Sequence, residues 1–138
     1  MTTLRFAASA GRHFLLAAAL LAGGCTSGSN VLGPDNQVEV NNTTDTFQWQ
    51  ASNVSDVTQT LTYTWANTGS SANVNQSSAL SGGSATLSVA DGAGVQVYSG
   101  SLGDNGTFHS SSGAPGSWKV TVVLTDATGT FNFRLQKP

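Results

Sequence analysis

His109 is the residue best suited to acid–base chemistry, since the chain has only one other histidine, His13, close to its N-terminus. His109 lies in a run of hydroxyl residues, and nucleophilic catalysis needs a hydroxyl held in register with a base. Asp104 or Asp126 would complete a Ser-His-Asp set. However, no serine stands in a Gly-x-Ser-x-Gly elbow, so no spacing selects one nucleophile. The sequence therefore predicts a protein that is not an enzyme, with a hydrolase as the alternative.

Metal-binding patterns are equally incomplete. Zinc takes three or four Cys, His or carboxylate ligands, and the chain offers one cysteine and, after residue 13, one histidine. Asp91-Gly92 and Asp104-Asn105-Gly106 could each supply one or two oxygens to calcium. Neither follows the Asp-x-Asp-x-Asp-Gly pattern of a calcium loop. We expect no metal and no cofactor.

Aromatic residues bear on sugar binding, which needs rings that face solvent. Trp49, Trp65 and Trp118 each share a strand face with apolar neighbours, so we expect all three to point into a core. Tyr98 falls on the opposite register from its apolar neighbours and is expected to be exposed. The residues predicted to contact a ligand are Tyr98, Asp104, Asn105 and His109.

The elements that must position these residues are β-strands, because apolar residues after residue 36 recur with period two. Gly, Asp and Asn clusters separate the runs as turns, among them Asp91-Gly92 and Asp126-Ala-Thr-Gly129. The pattern predicts an all-β fold, an antiparallel β-sandwich of the jelly-roll or immunoglobulin-like type with about seven to nine short strands. A small barrel is the alternative. The expected strands span residues 37–40, 46–52, 59–68, 72–76, 84–90, 93–102, 107–110, 117–126 and 130–137.

Charge excludes some partners. Charged residues make up 9% of the chain, against about 25% in average globular proteins. Beyond residue 25, three basic side chains face seven acidic ones, a net charge of −4. Binding to nucleic acid needs clustered Lys and Arg, so no nucleic-acid partner is expected.

The N-terminal segment reads as a signal peptide. Arg5, Arg12 and His13 precede the nine-residue apolar run 14–22. This run is too short for the roughly 20 residues that span a bilayer, but it matches the apolar region of a signal peptide. We expect residues 1–24 to form a signal helix that is removed.

Leu21-Ala22-Gly23-Gly24-Cys25 resembles the lipobox of bacterial lipoproteins, although that family prefers Leu, Val or Ile where this chain has Ala22. The resemblance implies cleavage by signal peptidase II between Gly24 and Cys25, with fatty acids such as palmitate attached to Cys25. It also implies an envelope location. Because no Asp follows Cys25, it implies sorting to the outer membrane, on its periplasmic or surface face. A buried thiol or an intermolecular disulfide is the alternative reading of Cys25.

Residues 25–36 are rich in Gly, Ser, Pro and Asn and are predicted to be a flexible tether between the lipid and a β-domain of residues 37–138. Gly116 to Val122, followed by Gly129 to Leu135, is similar to the C-terminal hairpin of pre-peptidase C-terminal domains, and jelly-roll carbohydrate-binding modules can end in the same way. The resemblance implies a fold and no activity.

These observations predict a lipid-anchored envelope protein that binds or braces something near the membrane. A carbohydrate-binding domain is the alternative, and the partner would be an envelope protein or a glycan. A subunit of a larger complex is a further reading.

Overall fold

The computed structural model describes residues 30–138, and these residues form the predicted all-β fold. Their only helical element is a single 3-10 turn. The predicted signal helix, Gly24 and Cys25 lie outside the described residues. The elements are the turn Pro34–Asn36 and the strands β1 (Glu39–Thr43), β2 (Thr46–Asn67), β3 (Asn73–Gln76), β4 (Ala79–Ala90), β5 (Gln96–Ser101), β6 (Gly106–His109) and β7 (Gly116–Gln136).

All seven strands belong to one antiparallel sheet that bends back on itself, so that its two halves face each other as a sandwich. The first half-sheet has the order β1-β2-β7-β3-β6, and it uses the beginning of β2 and the end of β7. The second half-sheet contains the end of β2, the beginning of β7, β4 and β5. We call these halves the first sheet and the second sheet.

Two strands are much longer than expected, at 22 residues for β2 and 21 for β7. The expected strands 46–52 and 59–68 are one strand, and so are 117–126 and 130–137. The prediction of a C-terminal hairpin turning at Asp126–Gly129 is therefore wrong. Its two arms do not pair with each other, because each pairs with a different part of β2. The turn expected at Asp91-Gly92 does connect β4 to β5.

The bend between the sheets is built from irregularities in β2, β4 and β7. Pairing of β2 with β7 shifts register three times between residues 51 and 59, and pairing of β4 with β7 shifts twice between 80 and 84. Such bulges kink a strand and increase its twist. Positive φ angles occur at Asn53 (52°), Asp56 (50°) and Asp126 (46°). Asn and Asp tolerate this conformation better than most residues do.

Glycines allow the strands to approach one another at the bend. Gly129 has φ of 149°, and a Cβ there would overlap the carbonyl oxygen of Ala79 on β4. Gly83 has φ of 66°, and a Cβ there would overlap the backbone of Asp126. Only glycine fits positions that combine a positive φ with a facing backbone.

Aromatic side chains close the sandwich. Trp49, Trp65 and Trp118 are fully buried, which confirms the prediction that they point inward. Phe47 on the first sheet meets Tyr63 on the second with ring centroids 5.4 Å apart, and Trp49 Nε1 donates a hydrogen bond of 2.9 Å to Tyr63 Oη. Burying each large aromatic contributes roughly 2–3 kcal/mol, so these contacts hold the two halves of β2 together.

Residues 30–36, predicted to be part of a flexible tether, instead lie against the bend. Leu32 N donates to Gln59 Oε1 at 2.9 Å, and Asn36 Nδ2 donates to the carbonyl of Asn53 at 2.9 Å. The carbonyl of Asn30 accepts a 3.0 Å hydrogen bond from Thr58 N. Backbone groups that the bulges leave unpaired in β2 thus find partners in this segment.

We expect Gly129→Ala to lower the free energy of unfolding by about 3 kcal/mol, because it adds a clash to an unfavourable φ. Gly94→Ala is the matched control. Gly94 also has a positive φ, 83°, but open space surrounds its missing Cβ. This control should lose only about 1 kcal/mol. Urea denaturation measures both, and equal losses would contradict the role assigned to Gly129.

Candidate functional site

Tyr98 and Asp104, two of the predicted ligand residues, are joined through Gln76, which is 4% exposed. Tyr98 Oη donates to Gln76 Oε1 at 3.1 Å, and Gln76 Nε2 donates to the carbonyls of Asp104 (2.6 Å) and Ser101 (2.9 Å). The amide of Gln76 therefore braces the strand β5 and the loop that follows it.

The expectation that Tyr98 is exposed is wrong. A register shift between Val89 and Ala90 places Tyr98 opposite Val89, so its ring packs beside Phe108 at the edge of the core. Burial, and then the negative charge of Asp104, raise the pKa of Tyr98.

The side chains of Asn105 and His109 make no hydrogen bond to Gln76 and have other partners. The Asn105 side chain makes two hydrogen bonds to the backbone of Ser78, at 2.7 and 2.9 Å. His109 lies at the end of β6 and faces outward, with Nδ1 at 2.7 Å from Asn73 Oδ1. Two of the four residues, Tyr98 and Asp104, thus share hydrogen bonds with Gln76, whereas the side chains of the other two bind elsewhere.

The two candidate calcium turns serve the fold. Asp91 Oδ1 accepts hydrogen bonds from the N–H groups of Ala93 (3.0 Å) and Val95 (2.9 Å), and Oδ2 accepts one from Ala114 (2.7 Å). These donors, above all Ala114 N–H, hold the pKa of Asp91 below its usual range. Within residues 30–138, no three His, Cys, Asp or Glu side chains lie close enough to hold a metal ion together.

The outer surface of the first sheet carries a continuous array of polar side chains. Strand register places Asn41, Gln48, Arg134, Asn75 and Thr107 in one row across five strands. Neighbouring rows contain Glu39, Gln50 and Asn132 on one side, and Thr43, Thr46, Gln136, Asn73 and His109 on the other. We call this surface the amide face, because seven of these thirteen residues are Asn or Gln.

A groove runs along the amide face. Its larger part, about 390 Å³, is open to solvent and lies where Gln48, Arg134, Asn75 and Thr107 meet. A second depression of about 190 Å³ continues toward the bend. Asn132 lines both depressions, so they adjoin at its side chain.

Hydrogen bonds within the groove occupy acceptor atoms. Thr107 Oγ1 donates to Asn75 Oδ1 at 2.8 Å, Asn132 Nδ2 to Gln50 Oε1 at 3.3 Å, and Gln50 Nε2 to Glu39 Oε2 at 2.7 Å. The Arg134 guanidinium takes part in no ion pair with residues 30–138, where Lys137 and Asp45 form the one pair, at 3.4 Å. The groove therefore offers the five donors of Arg134 and the amide nitrogen of Asn75 to a ligand.

The outer surface of the second sheet is different, because small hydroxyl side chains dominate it. One row contains Thr62, Thr121, Ser88 and Ser99, and the next contains Thr60, Val123, Thr86 and Ser101. We call it the hydroxyl face. Lys119 is exposed at one end of this face. The two surfaces of the sandwich thus present distinct chemistry.

Sequence reasoning missed Gln48, Asn75, Asn132 and Arg134 as a site. The available signal was alternation, since an inward-facing Trp49 or Phe133 places its sequence neighbours outward. Alternation identifies which residues face solvent, but not which strands lie side by side. The site exists only because β7 lies between β2 and β3.

The chain matches no protein-family model, no curated protein and no solved structure. Among residues 30–138, no helix is long and apolar enough to cross a membrane.

We expect Asp91→Asn to lower the melting temperature at pH 7, because the loop loses a charged acceptor for three N–H groups. The pKa of Asp91 is depressed on folding, so its contribution is present above the unfolded value of about 3.8 and is lost as pH falls through the folded value. The difference in melting temperature between wild type and variant should therefore persist down to about pH 4 and shrink below it.

Thermal melts from pH 7 to pH 2 test this, with Asp35→Asn as a control for the loss of one exposed carboxylate. A gap that stays constant over this range would contradict the role assigned to Asp91.

Proposed function

We propose that this chain is an exported, lipid-anchored binding module without catalytic activity, and that the groove on the amide face is its binding site. The groove carries the proposal, because it gathers polar side chains from four strands around one solvent-open depression. Binding sites of this kind use a few well-placed polar groups to orient a ligand.

The anchor rests on the lipobox-like segment that ends at Cys25. Only four residues separate Cys25 from Asn30, which pairs with Val57 at the bend. Five steps of at most roughly 3.3–3.6 Å span about 17 Å, so a lipid on Cys25 would hold the bend close to the membrane. Two or three acyl chains give stable attachment, whereas one gives only marginal binding.

The residues in the groove favour binding over catalysis. His109, the only described histidine, lies in the outermost row of the amide face and contacts Asn73 rather than a serine or an aspartate. Glu39 is engaged by Gln50. Nothing in the groove pairs a nucleophile with a base.

We expect Cys25→Ser to abolish labelling with radioactive palmitate and to release the protein from the membrane fraction of a bacterial host. Thr26→Ala is the control, since it changes the adjacent residue and keeps the thiol. A Cys25→Ser protein that stays in the membrane fraction, or a wild-type protein without label, would contradict the lipid anchor.

We expect the double variant Gln48→Ala/Asn75→Ala to weaken binding of the full chain, purified in detergent, to an insoluble cell-envelope fraction by about tenfold. Each lost hydrogen bond is worth roughly 0.5–1.5 kcal/mol, and tenfold is about 1.4 kcal/mol.

The matched control is Thr62→Ala/Thr121→Ala on the hydroxyl face, which truncates two outward side chains on β2 and β7. Binding is measured by co-sedimentation over a range of protein concentrations. Equal weakening by both double variants, or no binding by wild type, would argue against the groove as the binding site.

A further inference from the structure

We propose that the groove recognises an extended anionic polysaccharide and that Arg134 binds its sugar carboxylates. This inference rests on the proposed function, because it names the ligand class of the same site.

The charge environment of Arg134 points to an anion. Its neighbours on the amide face are Asn132 and Gln136 along β7, Gln48 on β2 and Asn75 on β3. None of these is acidic, and the nearest acid on the face, Glu39, lies two strands away and accepts a hydrogen bond from Gln50. Arg134 is thus a cation without an adjacent counter-charge, because the one acid on the amide face lies two strands away. A guanidinium binds a carboxylate through two parallel hydrogen bonds, which suits a planar anion.

The orientation of the amides favours a ligand rich in acceptors. Asn75 uses its oxygen to accept from Thr107, which leaves its nitrogen for a ligand on the side next to Arg134. Gln48 lies on the other side of Arg134 and makes no hydrogen bond to another described side chain. A carboxylate on Arg134 would therefore have amide donors on both sides, and Gln48 could also accept from a hydroxyl.

The extent of the groove requires more than a single anion. Its lining runs along β7 from Thr130 to Arg134, which is about 13 Å at a rise of roughly 3.3 Å per residue. Across the strands it reaches from Gln48 on β2 to Thr107 on β6, three strand spacings or about 14 Å. A chain of several linked units can cover a groove of this extent, whereas a free carboxylate cannot.

The chemistry of the face favours sugars over an acidic peptide. An extended peptide binds a sheet mainly through backbone hydrogen bonds at a free edge, with pockets for alternate side chains. Here the groove lies over β7 between two paired neighbours, and its exposed side chains are polar throughout. Hydroxyls and carboxylates of a polysaccharide can pair with these amides directly. Without exposed aromatic rings, binding must depend on charge and hydrogen bonds, so salt should weaken it.

Titration calorimetry with two acidic polysaccharides, polygalacturonate and alginate, tests the proposal on the full chain in detergent. Each is compared with its esterified form, which keeps the sugar backbone and removes the charge. We expect at least one acid to bind, and its ester to bind tenfold or more weakly. Raising NaCl from about 0.05 to 0.5 M should weaken binding of the acid.

Arg134→Gln should weaken binding of the acid by tenfold or more and have no effect on the ester. Lys119→Gln on the hydroxyl face also removes one positive charge, and it should leave the affinities for the acid and for the ester unchanged. Circular dichroism of each variant checks that the fold is retained.

Failure to bind either acid, equal affinity for acid and ester, or equal loss in both variants would overturn the proposal. Polyglutamate that binds as tightly as the acidic polysaccharides would also overturn it, since the groove would then bind any polymer of carboxylates and would not select sugars. None of these outcomes touches the co-sedimentation result with Gln48→Ala/Asn75→Ala, which decides separately whether the groove is a binding site.

Discussion

The close approach of three bent strands is the constraint on which the rest of this structure depends. β2 and β7 pass from one sheet to the other, β4 begins at the bend, and the three strands meet where Gly83 and Gly129 leave no room for a side chain. Val54, Val57 and Ala127 fill the inside of the bend and are buried. Because β2 and β7 continue through the bend, the two sheets cannot slide independently. Strands that change sheets at bulges are a known way to make such corners.

The bend also decides which surfaces face each other and which face solvent. Folding β2 back on itself brings Phe47 and Trp49 against Tyr63 and buries their side of the sheet. The opposite sides then become the amide face and the hydroxyl face. The groove is thus a consequence of core formation: the same alternation that buries Phe133 directs Asn132 and Arg134 outward.

Amide side chains have two different roles here, set by burial. Gln76, Asn36 and Asn67 are buried, and the side-chain nitrogen of each donates to backbone carbonyls of β2, β5 or the loops beside them. Leaving such a group unpaired would cost roughly 1–3 kcal/mol, so these amides are committed to the fold. Gln48 and Asn75 face solvent and keep donors free. Residue type alone does not separate these roles, because the separation depends on which backbone lies opposite.

Sequence by itself determined the all-β class, the burial of the three tryptophans and the turn at Asp91-Gly92, since period-two alternation and turn chemistry are local. The lipid anchor at Cys25 is likewise a prediction from local sequence. Tertiary structure alone decided that the expected strands on either side of residues 53–58 and 127–129 are continuous, because a bulge and a hairpin turn use the same Gly, Asn and Asp. It also decided that Tyr98 turns inward, through a one-residue shift against β4. The groove could not be predicted for the same physical reason: it is formed by Gln48, Arg134 and Asn75, residues far apart in the chain that only strand pairing brings side by side.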